Sequence, residues 1–345
     1  MSETSGQKRL GFFTRLLDDA EPGERYRLAA EQIGHAEAQG FDSAWIAQHH
    51  FHADEGGLPS PAVFLSSVAA RTSTIRLGTG VITLSMENAI RVAEDTAVLD
   101  LLSGGRLEVG FGTGGTRESF EAFGIDADKR GEVYANNLKI VRDGWAGHDL
   151  GGGNRVYPSA PHLLNRIWLA TFSATGSRLA GASGDGLMLS RTQPRPADQP
   201  DATLWDIQNP IIDAYLAALP DGRAPRILGS RSLFVAEDRK RALQLAEAGL
   251  TRVADKFAAL GHRIPGRTVE DLIRALDSHV GTPDDVIASL KQDTALARST
   301  DIVFQVHSID PLHEDILRSI ELTARYVAPA LGWHKQSPSR LAAAE

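Results

Sequence analysis

The sequence predicts an α/β fold, a (β/α)8 TIM barrel with loop insertions. Apolar strand-like runs alternate with amphipathic helical stretches along most of the chain. The first half holds four such βα units of about 30 residues each, which implies parallel strands joined by right-handed crossovers. The pattern then resumes to give eight strand candidates in all, which favours a closed barrel over an open sheet; 345 residues would by length alone suggest two or three domains but also fit a single barrel.

Taken in order, RLGFFTRLL (Arg9 to Leu17) is the first strand and its exit. YRLAAEQIGHAEAQG then puts Ala29, Ile33 and Ala36 on one helical face and ends at Gly40, a natural C′ residue. FDSAWIA is the second strand, and PAVFLSSVAART the second helix, with Pro61 in its first turn. IRLGTGVITL is the third strand. In the third helix, IRVAEDTAVLDLLSGG, Val98, Leu101 and Leu102 form an apolar stripe closed by Gly104 and Gly105. RLEVGFGTG, RIWLA, DGLMLS, ILGSRSLFVA and TDIVFQVH supply the remaining strands. The Pro/Gly-rich stretches His148 to Asn165 and Arg191 to Trp205 read as loops or lids. The stretch from about Gly261 to Asp285 reads as an insertion with some helix. The expected division is one domain over 1–335 and a loose tail over 336–345.

Composition narrows the class. With 42% hydrophobic and 23% charged residues the chain is an ordinary soluble globular protein. Its net charge of −8 and the lack of a Lys/Arg block exclude a nucleic-acid surface. Cysteine is absent, which removes disulfides, thiolate metal sites and a Cys nucleophile and fits a reducing cytoplasm. The N-terminus has no signal-peptide core, and no run reaches the roughly 18 apolar residues of a membrane span.

In a barrel the chemistry belongs at the C-terminal strand ends, here residues 49–57, 80–86, 112–116, 173–177, 190–193 and 307–310. The first of these, within AWIAQHHFHADEGG, packs His49, His50, His52, Asp54 and Glu55 into seven positions. His50 and His52 would be the HxH pair of a barrel metallohydrolase, with Asp54 or Glu55 adding oxygen ligands. The pair follows the second strand, however, and His148, His162, His262, His279 and His307 are isolated, so no metal is expected. His52, Asp54 and Glu55 read as loop. His49 and His50 suit acid/base work, because imidazole titrates near working pH, and His49 carries the assignment. Between ATF and SGDG, the hydroxyls of Ser173, Thr175 and Ser177 with Gly176 open a helix, an arrangement suited to a phosphate. A single residue would suffice for capping alone. Two questions stay open: whether GFGTGG meets a ligand or only turns tightly, and whether Gly78 and Gly80 face a planar ring or a packed neighbour.

FDSAWIAQHHF, IRLGTGVITL, RVAEDTAVLDLLSGGRLEVGFGTGG and GDGLMLSRTQ, in this order, resemble the bacterial luciferase-like, flavin-dependent monooxygenases. The resemblance runs from about Leu10 to His307, is densest over Phe41 to Gly124, and is closer to an FMN-dependent branch than to luciferase proper. It implies a barrel that binds reduced FMN, activates O2 as a flavin C4a-peroxide and oxidises a small organic substrate. It also implies a separate reductase supplying FMNH2, and a homodimer. By the same resemblance His49 is the acid/base group, Gly80 and Val81 form a non-prolyl cis peptide behind the isoalloxazine ring, and Ser173 binds phosphate. Gly176 stands where luciferase has a phosphate-binding threonine, so Thr175 or Ser177 would substitute. Thr113 stands where luciferase has a phosphate-binding arginine, a lost charge that Arg191 would compensate. Relatives that use the deazaflavin F420 share the fold and the cis bulge, so F420-dependent hydride transfer is the alternative. The Arg191 to Trp205 loop would be a lid that excludes water.

Overall fold

The computed structural model describes residues 7–259, 263–306, 309 and 311–333. His262, His307, Ser308, Asp310 and the tail 336–345 lie outside these residues. Among the described residues there are nine strands: β1 (Arg9–Thr14), β2 (Ser43–Ile46), β3 (Arg76–Thr83), β4 (Leu107–Gly112), β5 (Ile167–Ala170), β6 (Gly186–Leu189), β7 (Ile227–Val235), β8 (Ser278–Gly281) and β9 (Asp301–Gln305). Every pairing is parallel. β1 to β7 follow in chain order, and β9 inserts between β7 and β1 to close an eight-stranded (β/α)8 barrel.

All eight strand candidates are therefore barrel strands. The ninth, β8, comes from the stretch expected to be an insertion with some helix, which also contributes the helix Val269–Ala275. β7 is long enough to change neighbours along its length. Its start pairs with β6 (Leu187 with Ile227), and its end pairs with β8 (Val235 with Gly281). A four-residue strand, SHVG, is too short to show a period of two.

The strands bury both faces, as a helix-covered parallel sheet requires. Phe13, Trp45, Ala47, Trp168, Met188, Leu228 and Val303 fill the barrel interior, where Trp45 and Trp168 meet edge to face at 5.7 Å. The opposite faces pack on the surrounding helices. On Pro22–Ala38 the expected face of Ala29, Ile33 and Ala36 is buried, and Gly40 follows with φ +83°. On Ala89–Leu102 the expected stripe faces the wrong way: Val98, Leu101 and Leu102 are 45%, 62% and 61% exposed. The buried side is Val92, Ala93, Thr96, Ala97, Leu99 and Asp100, within which Ala93, Thr96, Ala97 and Asp100 follow i, i+3, i+4 and i+7. Small side chains let this helix approach the sheet, and the Asp100 carboxylate accepts from Leu107 N and pairs with His162 at 2.6 Å. Among the described residues no helix is long and apolar enough to cross a membrane.

Candidate active site at the barrel mouth

The chain leaves β2 as Gln48-His49-His50, and the buried Gln48 carboxamide fixes that exit. Its oxygen accepts from Thr83 N at 2.7 Å, and its nitrogen donates to the Pro59 carbonyl at 2.9 Å and to Glu87 Oε1 at 2.5 Å. The end of β3 and the loop after β2 are thereby tied together. His49 donates its backbone N–H to Leu58 O at 3.0 Å, and its ring lies so close to Gly56 that a Cβ there would come within 2.5 Å of it.

His49 does not titrate near neutrality as expected. Burial, reinforced by the Arg15 charge and opposed by Glu55, pushes its pKa down to about 3. The imidazole is therefore a neutral donor and acceptor at working pH. The His50 ring is set edge-on against Phe123 at 4.9 Å, and its buried Nε2 has no partner among the described residues. His52 and Asp54 are exposed. Among the described residues no three His, Cys, Asp or Glu side chains converge as a metal site. Glu55 is more than loop: its carboxylate is held by Lys256 at 2.8 Å, its carbonyl accepts from Arg15, and it acts on His49.

Beside this corner the Gly80–Val81 peptide bond is cis, without proline. The register against β4 jumps here, from Thr79 opposite Val109 to Ile82 opposite Phe111, so one extra β3 residue is pushed out of the ladder. Val81 packs against the interior cluster. The open question about the glycines resolves mostly toward packing. A Cβ on Gly78 would come 2.2 Å from the Trp45 ring, and one on Gly112 would come 2.7 Å from Val81 Cγ2. The β4 glycines thus give the bulge room. Thr113, at the end of β4, accepts from Ser85 Oγ through its carbonyl at 2.6 Å.

After β5, Ser173 caps the helix Ala174–Ala182 by accepting from Gly176 N at 3.1 Å. Thr171 Oγ1 accepts from Ser173 N at 3.1 Å, and a Cβ on Gly176 would lie 2.2 Å from that same oxygen. A threonine does not fit at position 176 while Thr171 occupies this place. Thr175 is exposed on the first turn, and the N–H groups of Ala174 and Thr175 have no acceptor among the described residues. Ser177 is turned away from this opening: it is fully buried and donates to Ala174 O at 3.0 Å.

Arg191 reaches toward β7 and not to the Ser173 turn. It donates to Ser232 Oγ at 3.2 Å and lies 5.6 Å over the Phe257 ring. The loop it opens is only partly free to act as a lid. Thr192 and Gln193 are buried, and Arg195 grips Asp277 with both side chains 7% exposed. Among the described residues the exposed part from about 196 to 200 has no such anchor, and Asp201 beyond it is held by Arg263 at 2.7 Å.

A family model described as luciferase-like monooxygenase matches residues 11–298. The chain belongs to that family. Among relatives of this luciferase-like protein, 4-hydroxyprotoasukamycin monooxygenase of Streptomyces nodosus subsp. asukaensis is 29% identical over 84% of this chain and 82% of its own length. The crystal structure of monooxygenase RslO1 from Streptomyces bottropensis superposes with a TM-score of 0.76 at 26% identity, covering 94% of this chain and 99% of that one. An F420-dependent glucose-6-phosphate dehydrogenase of Amycolatopsis mediterranei is 25% identical over 47% of this chain and 56% of its own. The family holds flavin-dependent oxygenase components as well as F420-dependent oxidoreductases. For this luciferase-like protein the sequence reading missed Arg15, Gln48, Lys256 and Phe257. Extending the strand-end rule to the exit of β1 finds Arg15. Lys256 and Phe257 sit near the end of Arg239–Ala259, a 21-residue helix whose return to the mouth no local pattern signals.

Proposed function

We propose that the chain is the oxygenase of a two-component, FMN-dependent monooxygenase, oxidising a small organic substrate with O2 and drawing FMNH2 from a separate reductase. The supporting observation is the cis Gly80–Val81 bulge facing the barrel interior, with an exposed, hydroxyl-lined helix start two strands away. Gly80 and Val81 would back the isoalloxazine ring. Ser173 and Thr175 would hold the phosphate through their hydroxyls and the uncommitted N–H groups of Ala174 and Thr175, with Gly176, whose N–H goes to Ser173 Oγ, keeping the turn free of a side chain. Thr113 lies at the adjoining β4 exit and brings no charge, so the phosphate rests on hydrogen bonds. When bound, the reduced flavin supplies the O2 chemistry.

The chain's own part is to orient and protect. Trp45, Trp168 and Met188 close the barrel beneath the bulge against water. Gln48 holds the His49 backbone against the end of β3. His49, neutral and next to Gly56, holds or passes a proton at a ring nitrogen. The absence of cysteine fits a cytoplasmic protein.

Anaerobic titration of the purified protein with FMNH2 and with reduced F420 tests the cofactor. FMNH2 should bind, and Ser173→Ala should weaken FMN about tenfold while leaving riboflavin, which lacks the phosphate, unchanged. Binding of F420 with none of FMNH2 moves the function to hydride transfer.

The outward Val98, Leu101 and Leu102, with Val63 at 73% exposure on the neighbouring helix Pro61–Ala69, support a homodimer through this face. Leu101→Glu with Leu102→Glu should convert a dimer to monomer in sedimentation equilibrium. Unchanged mass would place the interface elsewhere.

A further inference from the structure

The charges at the mouth do not balance. Asp277 is saturated: Arg195 holds both of its oxygens, at 2.5 and 3.0 Å, and Thr192 Oγ1 donates to one of them at 2.6 Å. Asp277 keeps this geometry despite a φ of +52°. Lys256 takes Glu55 at 2.8 Å and lies 3.7 Å from Asp54. Three carboxylates thus face four cations, an excess of one charge, and Arg15 and Arg191 are the two cations without an ion pair, although Glu55 and Asp54 act on Arg15 and Asp277 acts on Arg191. Both are half-buried, and neither forms an ion pair among the described residues. Arg15 gives one N–H to the Glu55 carbonyl, and Arg191 gives one to Ser232 Oγ.

A guanidinium carries five N–H donors in a planar fork. Most of these ten have no protein acceptor among the described residues and face the mouth, where a ligand can reach them. The two cations also act on each other: burial, and then the Arg15 charge, push Arg191 down to about 9, still protonated at neutral pH. Arg15 in turn depresses His49, which places this excess charge at the His49 corner. No hydrogen bond links either arginine to the Ser173 turn among the described residues. What the two forks lack is an oxyanion, which accepts bidentate hydrogen bonds from such groups.

We propose that Arg15 and Arg191 form a receptor for a carboxylate carried by the organic substrate, with Phe257 flanking the apolar part beside it. Describing the ligand as substrate rests on the monooxygenase reading above; the anion preference itself does not.

The test uses calorimetric binding of benzoate and hexanoate to the full-length protein, with benzamide and hexanamide as neutral counterparts. The acids should bind at least tenfold tighter than the amides. Arg15→Gln and Arg191→Gln should each weaken the acids about ten- to a hundredfold, with the preference for FMN over riboflavin kept as in wild type. That retained preference also certifies the fold of each variant. Wild-type protein that fails to distinguish acid from amide overturns the proposal without any variant. So does an Arg191→Gln protein that loses its preference for FMN over riboflavin yet binds benzoate normally, because the guanidinium then serves the cofactor phosphate. Acid selectivity in a protein that binds no FMN leaves the anion receptor standing and removes the monooxygenase reading instead.

Discussion

His49→Ala is expected to lower kcat by about 10²- to 10⁴-fold, the range for a lost acid/base group, with FMN affinity changed no more than a few-fold. The separation follows from position. His49 sits at the β2 exit, while the proposed phosphate contacts lie at the β5 exit, and neither set hydrogen-bonds to the other among the described residues. The pH profile adds a second readout. With its pKa near 3, His49 stays neutral across the working range, so kcat/KM of the wild type should carry no inflection near 6.5 from this residue. His49→Asn, which keeps a hydrogen-bonding group but cannot exchange a proton at this pH, separates positioning from proton transfer. Near wild-type kcat in the asparagine variant would make His49 a positioning residue. An inflection near 6.5 that vanishes in it would show that ligands raise the imidazole pKa well above its resting value. The same depressed pKa affects stability. The unfolded chain binds a proton at His49 near pH 6.5 and the folded chain does not, so this residue favours folding above that pH, and the contribution fades as pH falls toward 3.

The barrel was legible because the βα rhythm repeats and most of its strands carry β-branched or aromatic residues that stand out from their flanks, while β6, GLML, stands out only as an apolar run. The strand-end rule then picked out the segments holding His49, Gly80 and the Ser173 turn, while the cis Gly80–Val81 bulge came from the family resemblance. The rule failed wherever a side chain's direction mattered. Ser177 and Ser173 are both hydroxyls of one turn, but four residues of helix carry Ser177 into the core. Val98, Leu101 and Leu102 are as apolar as a core face, yet the helix buries Val92, Ala93, Thr96, Ala97 and Leu99 instead, so apolar residues lie on both of its sides and the pattern alone does not choose between them. Arg191 stands two residues past β6 in the sequence, and its reach to Ser232 and Phe257 depends on how β7 and the helix after it pack. Glu55 looks like solvated loop until Lys256, 201 residues later, closes on it. Periodicity encodes which elements form, whereas the partners of long polar side chains are set by tertiary packing alone.

Asp293→Ala is expected to give the largest loss of stability, about 3–5 kcal/mol, the range for stripping one partner from a buried ion pair. Arg231 and Asp293 have side chains 0% and 1% exposed and share two hydrogen bonds, at 2.5 and 3.2 Å. Arg231 also donates to Gln208 Oε1 at 3.0 Å and to the Ser230 carbonyl at 2.6 Å, so removing Asp293 leaves a charge with neutral acceptors only. The same carboxylate accepts from Leu296 N at 2.8 Å and caps the following short helix. Although burial raises the Asp293 pKa, Arg231 outweighs it and the net direction is down. The stabilisation is therefore present above the ordinary carboxylate range and lost only on acidification below it. The melting temperature should fall on the order of 10 °C, by an amount that does not vary between pH 6 and 8. Asp293→Asn should fall in between, since it retains an oxygen for Leu296 N and Arg231 but not the charge. Arg231→Met with Asp293→Leu should recover much of the loss, because an apolar pair removes both desolvated charges together. Gln208 extends the consequence to the site: its nitrogen donates to Ser190 O at 2.8 Å and to Gln193 Oε1 at 2.9 Å, bracketing Arg191. Below its melting point the Asp293→Ala protein should bind benzoate more weakly than wild type, with FMN affinity less affected, because the network that steadies the β6 exit has lost its anchor. Equal benzoate affinity in the two proteins would confine Asp293 to stability and detach the core pair from the mouth.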